Sequence, residues 1–384
     1  MKFFHLSDLH LGVKLLRRDL LADQAYVLEQ VISLAQARKP DAVVIAGDIY
    51  DKAVPPAEAV ALFDWFLTAL REKIPQCSIM IISGNHDSAP RLNCFRSVLD
   101  REKVYMIGLP PQRPGEKIAN VCLKDSWGMV VFHLLPFIRP AMVRQAVLEE
   151  GEEGPLSYEQ TLRRLLAQEQ LDPAARHVLV SHQFYLPAGK SAKEIERMDS
   201  EIQMVGNIDA VPAELLAPFD YAALGHIHKP MTVGEKRFRY CGTPLAVSVS
   251  EAGQQKAVLE VELREKGNIT VTPLTLTPLR PVQILRGSLE EVLCQSCEAY
   301  VSVVLTDPED LEVMDLQQRL RAAFPYLLEI RREGEKRRLM QEEAPLQEQL
   351  SPLSLCRQFL GELTWQEERL LADVIHTVEE GEQK

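Results

Sequence analysis

The sequence contains no apolar run long enough to span a bilayer, and its first residues lead directly into a strand-like segment rather than a signal peptide. Its seven cysteines are odd in number and scattered, which is unlike a disulfide framework and fits a reducing compartment. A CxxC pair at residues 294–297 has no second pair nearby, which disfavours a zinc or redox role. These features predict a cytoplasmic protein.

The chain also has fewer basic than acidic residues, with 43 lysines and arginines against 55 aspartates and glutamates, which gives a net charge of −12. A protein that binds nucleic acid usually has a basic face, so this balance is unexpected for that class. Net charge says little about local fields, however, and a pair of bound divalent cations would reverse the sign at their site. Apolar residues make up 46% of the 384 residues, enough for a substantial core and about two domains.

The N-terminal third alternates between strand and helix patterns, which favours an α/β fold with helices outside a sheet. From residue 221 the pattern becomes rich in strands, and residues 184–219 are predicted to form a long loop. Pro278 and Pro281 mark a boundary, after which a small α+β unit and two amphipathic helices follow. We therefore predict a large α/β domain at residues 1–276, a small α+β cap domain at 277–345 and a helical tail at 346–384.

Five short apolar runs, each predicted to be a buried strand, are followed by side chains that can bind metal ions. The central run, residues 79–82, leads to GNHD at residues 84–87, which offers an amide oxygen, an imidazole and a carboxylate. Ligands in open α/β sheets bind at the carboxyl ends of strands, so we expect these groups to converge. The candidate metal ligands are Asp8, His10, Asp48, Asn85, His182, His226 and His228.

These groups are carboxylate, imidazole and amide, with no thiolate, a mixture that suits Mn²⁺, with Fe or Zn as alternatives. Seven ligands exceed what one ion with an open position needs, and they suit two ions that share a carboxylate. Two such ions can polarise a phosphoryl oxygen and stabilise both the attacking and the leaving oxygen. A lone histidine at a strand end is often only a paired polar residue, and His5, His133, His177 and His376, which match no ligand position, are assigned to structure.

The motifs DxH, GDxxD, GNHD, H and GHxH occur here in that order, and together they resemble the calcineurin-like metallophosphoesterase superfamily. The resemblance implies a four-layer α/β/β/α sandwich, with the cap and tail as additions. It also implies two Mn²⁺ ions, with Mg²⁺ or another divalent ion as the alternative. One ion would be bound by Asp8, His10, Asp48 and His228, and the other by Asp48, Asn85, His182 and His226. His86 would then stabilise the transition state or protonate the leaving oxygen, and Asp51 would orient the His86 imidazole.

Longer segments resemble bacterial nuclease subunits of this superfamily, notably residues 5–12, 46–51, 84–88, 135–140, 223–228 and 240–244. That resemblance implies a DNA phosphodiesterase, a 3′→5′ exonuclease on duplex ends and an endonuclease on single strands and hairpins. It would serve DNA end processing, replication and recombination in the nucleoid. It would act as a homodimer within a heterotetramer, beside an ATPase with a long coiled coil. Leu9 departs from the relatives, which often carry Trp there.

Local cations and the partner are then expected to supply the phosphate neutralisation on which DNA affinity depends. Each candidate is by itself more often a solvated surface charge. The candidates are Lys14, Arg17, Arg18, Lys52, Arg91, Lys190 and Lys193, with Arg331, Arg332, Lys336, Arg337 and Arg338 in the predicted cap. The tail helices have two interpretations, self-packing or docking on a helix of the ATPase, and the charged linker before them favours docking.

Two other functions stay open at this point. The chain is alternatively a phosphatase or phosphodiesterase for small phosphoesters, which turnover of a nucleotide but not of DNA would indicate. It is alternatively a non-catalytic scaffold with a vestigial site, although all seven candidate ligands and His86 are present.

Overall fold

The computed structural model describes residues 1–148, 156–186, 211–307 and 315–333. In chain order the strands are β1 (Lys2–Leu6), β2 (Lys14–Leu15), β3 (Arg18–Asp19), β4 (Ala42–Ala46), β5 (Ser78–Ile82), β6 (Val104–Ile107), β7 (Ala119–Asp125), β8 (Gly128–Leu135), β9 (Arg176–Ser181), β10 (Tyr185–Leu186), β11 (Val211–Pro212), β12 (Tyr221–Leu224), β13 (Met231–Val233), β14 (Glu235–Tyr240), β15 (Lys256–Leu263), β16 (Ile269–Leu276), β17 (Val282–Gly287), β18 (Tyr300–Leu305) and β19 (Leu327–Arg332).

The α-helices in the described ranges are α1 (Leu21–Arg38), α2 (Ala57–Lys73), α3 (Ala89–Leu92), α4 (Arg96–Leu99), α5 (Pro140–Val147), α6 (Tyr158–Ala167), α7 (Leu289–Leu293) and α8 (Leu316–Ala323). Short 3₁₀ turns lie at Asp100–Glu102, Ala213–Leu216 and Val249–Glu251. None of these helices combines the length and the apolar character that crossing a bilayer requires.

One six-stranded sheet has the order β16–β15–β1–β4–β5–β6, with β1, β4, β5 and β6 parallel to one another and β15 antiparallel to β1. The central strands β4 and β5 are apolar and buried at nearly every residue, as expected when both faces of a parallel sheet are covered. On one face, Phe4 and Ile45 belong to the same core as Val31 of α1 and Phe66 of α2. Helices therefore form the outer layer on this side.

The second six-stranded sheet has the order β13–β14–β12–β9–β8–β7, with β8, β9, β12 and β14 parallel. Its inner face shares a core with the first sheet, in which Phe3 packs against Phe132 and Tyr221 with ring centroids 5.3 and 5.6 Å apart. Its outer face packs with α5 and α6 through residues such as Val143 and Leu162. The layers are thus helix, sheet, sheet and helix, which confirms the predicted α/β/β/α sandwich.

The chain divides into two compact units, the first of which contains Met1–Leu285, Ser296–Val303 and Gln318–Glu329. The described part of the second contains Arg286–Gln295, 304–307, 315–317 and 330–333. Strands β17, β18 and β19 form a three-stranded sheet. The boundary placed between residues 276 and 277 stays a prediction, and the tail at 346–384 lies outside the described residues.

Two details differ from the expectations. Strand β7 pairs with β8 along its whole length in an antiparallel hairpin, although residues 119–125 were not predicted to be a strand. The segment predicted as a long loop contains β10 and β11, which pair in parallel, and the turn at Ala213–Leu216. Residues 187–210 of that segment lie outside the described ranges.

Candidate metal centre

The candidate ligands lie in the loops that follow β1, β4, β5, β9 and β12. These strands are parallel within their sheets, so their carboxyl ends lie at one edge, where ligands of open α/β sheets bind. The loops are joined by main-chain contacts, since the Asp8 amide donates to the Gly47 carbonyl at 2.9 Å and the His10 amide to the Asp48 carbonyl at 3.0 Å. The His226 amide donates to Asp8 Oδ1 at 3.0 Å, which links the two sheets at this edge.

Four candidate ligands have left-handed backbone conformations, with φ of 53° at Asp8, 42° at His10, 50° at Asp48 and 99° at His226. Such conformations cost free energy in residues other than glycine and cluster at functional sites. The loops therefore hold these side chains at an energetic cost that neighbouring contacts must offset.

Two glycines of the motifs have a steric role. A β-carbon at residue 47 or residue 84 would overlap the side chain of His182 or Asp48, respectively. Gly47 also has a φ of +92°, which other residues rarely adopt. The GD and GN motifs therefore require glycine because the ligand side chains of neighbouring loops occupy that space.

The seven candidate ligands come together in one cluster. His182 Nε2 lies 3.2 Å from Asp48 Oδ2 and 3.1 Å from Asn85 Oδ1, and Asn85 Oδ1 lies 2.9 Å from His226 Nδ1. On the other side of Asp48, His10 Nε2 lies 3.7 Å from Asp48 Oδ2 and 2.9 Å from His228 Nε2. The structure thus brings together all seven residues that the sequence singled out.

The cluster is buried except on one side, where Asn85 and His86 are partly exposed. Three groups have ligand atoms within 4.8 Å of one another and are each able to hold a metal ion. They are Asp8 with His10 and His228, Asp8 with Asp48 and His182, and His10 with Asp48 and His86. The third group contains His86, which the resemblance did not assign as a ligand.

Burial and mutual charge shift the acidities of these groups in opposite directions. Burial disfavours a charged His182, but the neighbouring carboxylates of Asp48 and Asp8 outweigh it and raise the pKa of His182 to about 9. Burial raises the pKa of Asp8, whereas His182 and His10 hold the pKa of Asp48 well below its usual range despite its burial. Burial and the adjacent imidazoles lower the pKa of His226 to about 3.

His86 lies at the open side of the cluster. Its main-chain amide donates to Asp48 Oδ1 at 2.9 Å, and its ring is edge-on to His10 with centroids 4.8 Å apart. Its Nδ1 atom lies 2.8 Å from the main-chain carbonyl oxygen of Asp51. Asp51 therefore contacts the imidazole through its main-chain carbonyl, and its carboxylate also interacts electrostatically with His86.

Asp87 has a role in the site that the sequence did not reveal. Its carboxylate accepts main-chain N–H groups from Gly84 at 2.9 Å, Ile49 at 3.1 Å and Tyr50 at 3.0 Å. It therefore joins the loop after β5 to the loop after β4. Its position as the last residue of GNHD was a signal, but nothing in the motif distinguishes a carboxylate that binds the backbone from one that binds a metal ion.

The remaining histidines within the described ranges have structural partners, as expected. His5 contacts the Tyr221 hydroxyl at 3.1 Å and the Leu224 carbonyl at 3.2 Å. His133 Nδ1 lies 3.0 Å from Glu169 Oε2, and His133 Nε2 lies 3.0 Å from His177 Nδ1. His376 lies outside the described residues.

Seven of the twelve candidate DNA-contacting cations lie in the described ranges. Arg18 donates to the Pro325 carbonyl at 3.0 Å, and Arg91 donates to the Ala53 carbonyl at 3.4 Å, so both have intramolecular contacts. Five of the candidates lie outside the described residues, namely Lys190, Lys193, Lys336, Arg337 and Arg338.

The residues present fit a pair of divalent cations. Two carboxylates, an amide oxygen and four imidazoles face one another in a largely buried volume. Such a mixture of oxygen and nitrogen ligands is typical of Mn²⁺, Fe and Zn sites. The chemistry that this edge can support is therefore that of metal-assisted attack on a phosphoester.

Residues 1–230 match the family model described as calcineurin-like phosphoesterase. The match covers more than half of the chain, so this protein belongs to the calcineurin-like phosphoesterase family, whose members use divalent metals. Residues 278–363 match a second model, the type 5 capsule protein repressor C-terminal domain.

Among individual proteins, the chain is 29% identical over 338 residues to the SbcD subunit of the SbcCD nuclease of Staphylococcus epidermidis, covering 85% of this chain and 84% of the relative. Among solved structures, a dimetal phosphatase from Danio rerio matches with 14% identity and a TM-score of 0.38, over 72% of this chain and 99% of that one. GAP50, the anchor in the inner membrane complex of Plasmodium, matches with 12% identity and a TM-score of 0.40, over 86% and 96%.

Proposed function

We propose that this protein is the two-metal, Mn²⁺-dependent nuclease subunit of an SbcC–SbcD-type complex and hydrolyses DNA phosphodiester bonds. The observation that carries the proposal is the similarity to a nuclease subunit over 85% of the chain, which spans both the phosphoesterase residues and the following region. The convergence of seven ligand-type side chains at one edge of the sheets supports the same reaction class.

We assign one metal site to Asp8, His10, Asp48 and His228 and the other to Asp48, Asn85, His182 and His226. When bound, divalent ions supply Lewis acidity toward a phosphoryl oxygen. The two aspartates contribute two negative charges against four positive charges, so the loaded site is net positive and favours an anionic phosphodiester. Burial of the carboxylates strengthens this attraction because it lowers the local dielectric constant.

We assign His86 to stabilisation of the transition state or protonation of the leaving oxygen, a usual histidine role. Its position supports the assignment, since it is partly exposed at the open side of the cluster and its Nδ1 is held by the Asp51 carbonyl. Asp51 is assigned as the residue that orients it. The competing assignment, that His86 is itself a ligand, follows from its proximity to His10 and Asp48.

The assignments of DNA substrate, cleavage polarity and partner rest on the resemblance to bacterial nuclease subunits. We propose 3′→5′ exonuclease activity on duplex ends and endonuclease activity on single strands and hairpins, in cytoplasmic, nucleoid-associated DNA end processing, replication and recombination. We propose a homodimer, supported by the exposed Phe95 and Val98 at α4, which are 80% and 62% exposed. The partner is the SbcC ATPase, with residues 277–345 facing DNA and residues 346–384 docking on SbcC.

The test is cleavage of end-labelled duplex and hairpin DNA by the purified full chain, with Mn²⁺, Mg²⁺ or EDTA, and with or without SbcC and ATP. His86→Ala is compared with His177→Gln, which alters a buried histidine away from the cluster. We expect Mn²⁺-dependent cutting that falls by about 10²–10⁴-fold in His86→Ala, with two Mn²⁺ still bound, and persists in His177→Gln.

Each outcome decides a different part of the proposal. Cutting that occurs only with SbcC and ATP keeps the site and assigns control to the partner. Loss of one Mn²⁺ in His86→Ala would make His86 a ligand rather than an acid–base residue. Turnover of small phosphodiesters with no cutting of DNA under any condition would refute the nuclease and favour a small-molecule phosphodiesterase.

A further inference from the structure

A buried ion pair lies directly behind one of the candidate metal ligands. Lys256, at the start of β15, and Glu251, in the turn at Val249–Glu251, form a salt bridge in which the two side chains are 4% and 1% exposed. Lys256 Nζ also donates to Thr243 Oγ1 at 2.7 Å, and the Thr243 hydroxyl donates to Glu251 Oε2 at 2.7 Å. The proposed metal-binding function does not by itself account for any of these three residues.

Stability alone is a weak reason for such a pair. Removing two charges from water costs several kcal/mol per ion, and apolar residues of similar volume are often equally stable or more so. Lysine and glutamate are also rarely this buried. Because burial of this ion pair costs free energy, its presence indicates that the position of one of the two charged groups matters.

The geometry identifies the Glu251 carboxylate as the group whose position matters. Its Oε2 atom is held by both Lys256 and Thr243, which fixes the plane of the carboxylate. Its other oxygen, Oε1, accepts the Val247 amide at 3.3 Å and lies 3.6 Å from His228 Nδ1. That separation is longer than an ordinary hydrogen bond, but the carboxylate faces the ring nitrogen on the side away from the cluster.

The same network fixes the His228 backbone. The His228 carbonyl accepts from the Thr243 amide at 3.2 Å and from Lys256 Nζ at 3.4 Å. Gly242, beside Thr243, has a φ of +76°, and a β-carbon there would lie 2.6 Å from the His228 carbonyl oxygen. Backbone and ring of His228 are therefore positioned by one set of residues, which belongs to the segment after β14.

We propose that Glu251, locked by Lys256 and Thr243, is a positioning residue for His228. It keeps the proton of the neutral imidazole on Nδ1, so that Nε2, on the side of His10, presents its lone pair to a metal ion. Carboxylates commonly orient metal-binding histidines in this way, and their loss typically weakens metal affinity 10–100-fold. The proposal rests on the metal-binding function proposed above, and specifically on His228 as a ligand.

The test is titration of the full-length metal-free protein with Mn²⁺, followed by calorimetry and by electron paramagnetic resonance, which distinguishes a coupled pair of ions from a single ion. Two double variants have similar volume and no buried charge, Glu251→Leu/Lys256→Met and Glu251→Gln/Lys256→Met. They differ in whether residue 251 can accept a hydrogen bond from His228. A single Glu251→Ala change would leave the Lys256 charge buried and alone, so it is a poorer choice.

We expect the Leu/Met variant to bind one Mn²⁺ normally and the other about 10–100-fold more weakly, with loss of the coupled signal. The Gln/Met variant should bind both ions within a few-fold of wild type. Equal affinity for both ions in the Leu/Met variant and wild type would overturn the proposal. Glu169→Gln is the control, since it neutralises another buried carboxylate beside a histidine, His133, and should leave both affinities unchanged.

Two further measurements separate this inference from the proposed function. If wild type binds no Mn²⁺, the proposed metal centre fails and Glu251 has no role of this kind. If wild type binds two ions and His228→Ala loses one, while the Leu/Met variant binds both as tightly as wild type, only the role of Glu251 is refuted.

Discussion

The phosphoesterase region contains two buried clusters of histidines and carboxylates, and they are built differently. In the cluster of His133, His177 and Glu169, each of the ring nitrogens meets one matching partner, ending with His177 Nε2 at the Asp172 carbonyl, 2.9 Å away. At the edge of the sheets, by contrast, one oxygen is shared by two imidazoles, since Asn85 Oδ1 lies 3.1 Å from His182 Nε2 and 2.9 Å from His226 Nδ1.

The difference shows what separates a structural histidine from a candidate ligand. Burial does not, because both clusters are buried. The distinguishing property is how the polar groups are connected. The first cluster is a chain that ends on a main-chain carbonyl, whereas in the second several side chains converge on the same oxygens. Within the described residues, only the second contains groups of ligand atoms close enough together to hold a metal ion, so changes in the two clusters should have separable effects.

The largest expected effect is that of Asp48→Asn, since Asp48 is close to both His10 and His182 at the centre of the second cluster. We expect loss of both bound metals and a loss of phosphodiester hydrolysis greater than the about 10²–10⁴-fold contributed by one acid–base residue. Metal analysis and cleavage rates measure the two effects. Retention of two metals with a modest loss of rate would contradict the central role of Asp48.

Metal removal should have the next largest effect, on stability. A ligand that binds only the folded state stabilises it by about 2.7 kcal/mol at a free concentration of 100 times its Kd. Denaturant unfolding with Mn²⁺ and with EDTA should therefore differ by at least about this amount in wild type. The difference should vanish in Asp48→Asn, and a difference that persisted there would indicate metal binding elsewhere.

Glu169→Gln should affect stability alone. The Glu169 carboxylate accepts from the Ile118 amide at 3.0 Å as well as pairing with His133, so its replacement should cost about 1–3 kcal/mol and leave metal binding unchanged. Although burial opposes ionisation, His133 lowers the pKa of Glu169. A carboxylate whose pKa is lowered in the folded state stabilises the protein at pH values above its ordinary pKa. The difference in free energy of unfolding between wild type and Glu169→Gln should therefore become smaller in acid. A difference that became larger in acid would contradict the ion pair between Glu169 and His133.

The smallest expected effect concerns His5, another histidine with a partner at each nitrogen. Burial lowers its pKa to about 3, so on acidification the unfolded state binds a proton before the folded state does. Stability should fall by about 1 kcal/mol between about pH 6.5 and about pH 5.5 from this group. Measuring the free energy of unfolding against pH for wild type and for His5→Gln isolates the contribution of His5. If that free energy changes equally with pH in the two proteins, His5 does not titrate as described.

Much of the fold could be predicted from the sequence, because buried parallel strands are short apolar runs. The apolar run at residues 79–82 lies within β5, and the strand-rich pattern predicted from residue 221 begins with β12. Strand β7 was missed because it lies at the edge of its sheet, where alternate side chains are exposed and polar residues interrupt the apolar ones. Pairing with β8, rather than local preference, makes it a strand.

The sequence by itself determined the candidate ligands, since each follows an apolar run and the motif glycines leave space for neighbouring ligands. Only the tertiary structure decided how those ligands are held. Asp87 binds three main-chain amides, Asp51 meets His86 through its carbonyl, and Glu251 faces His228 across a buried ion pair. The physical reason is that the ligands follow apolar strands, which the local sequence predicts. Their polar partners lie far away in the sequence and come close to the ligands only when the chain folds.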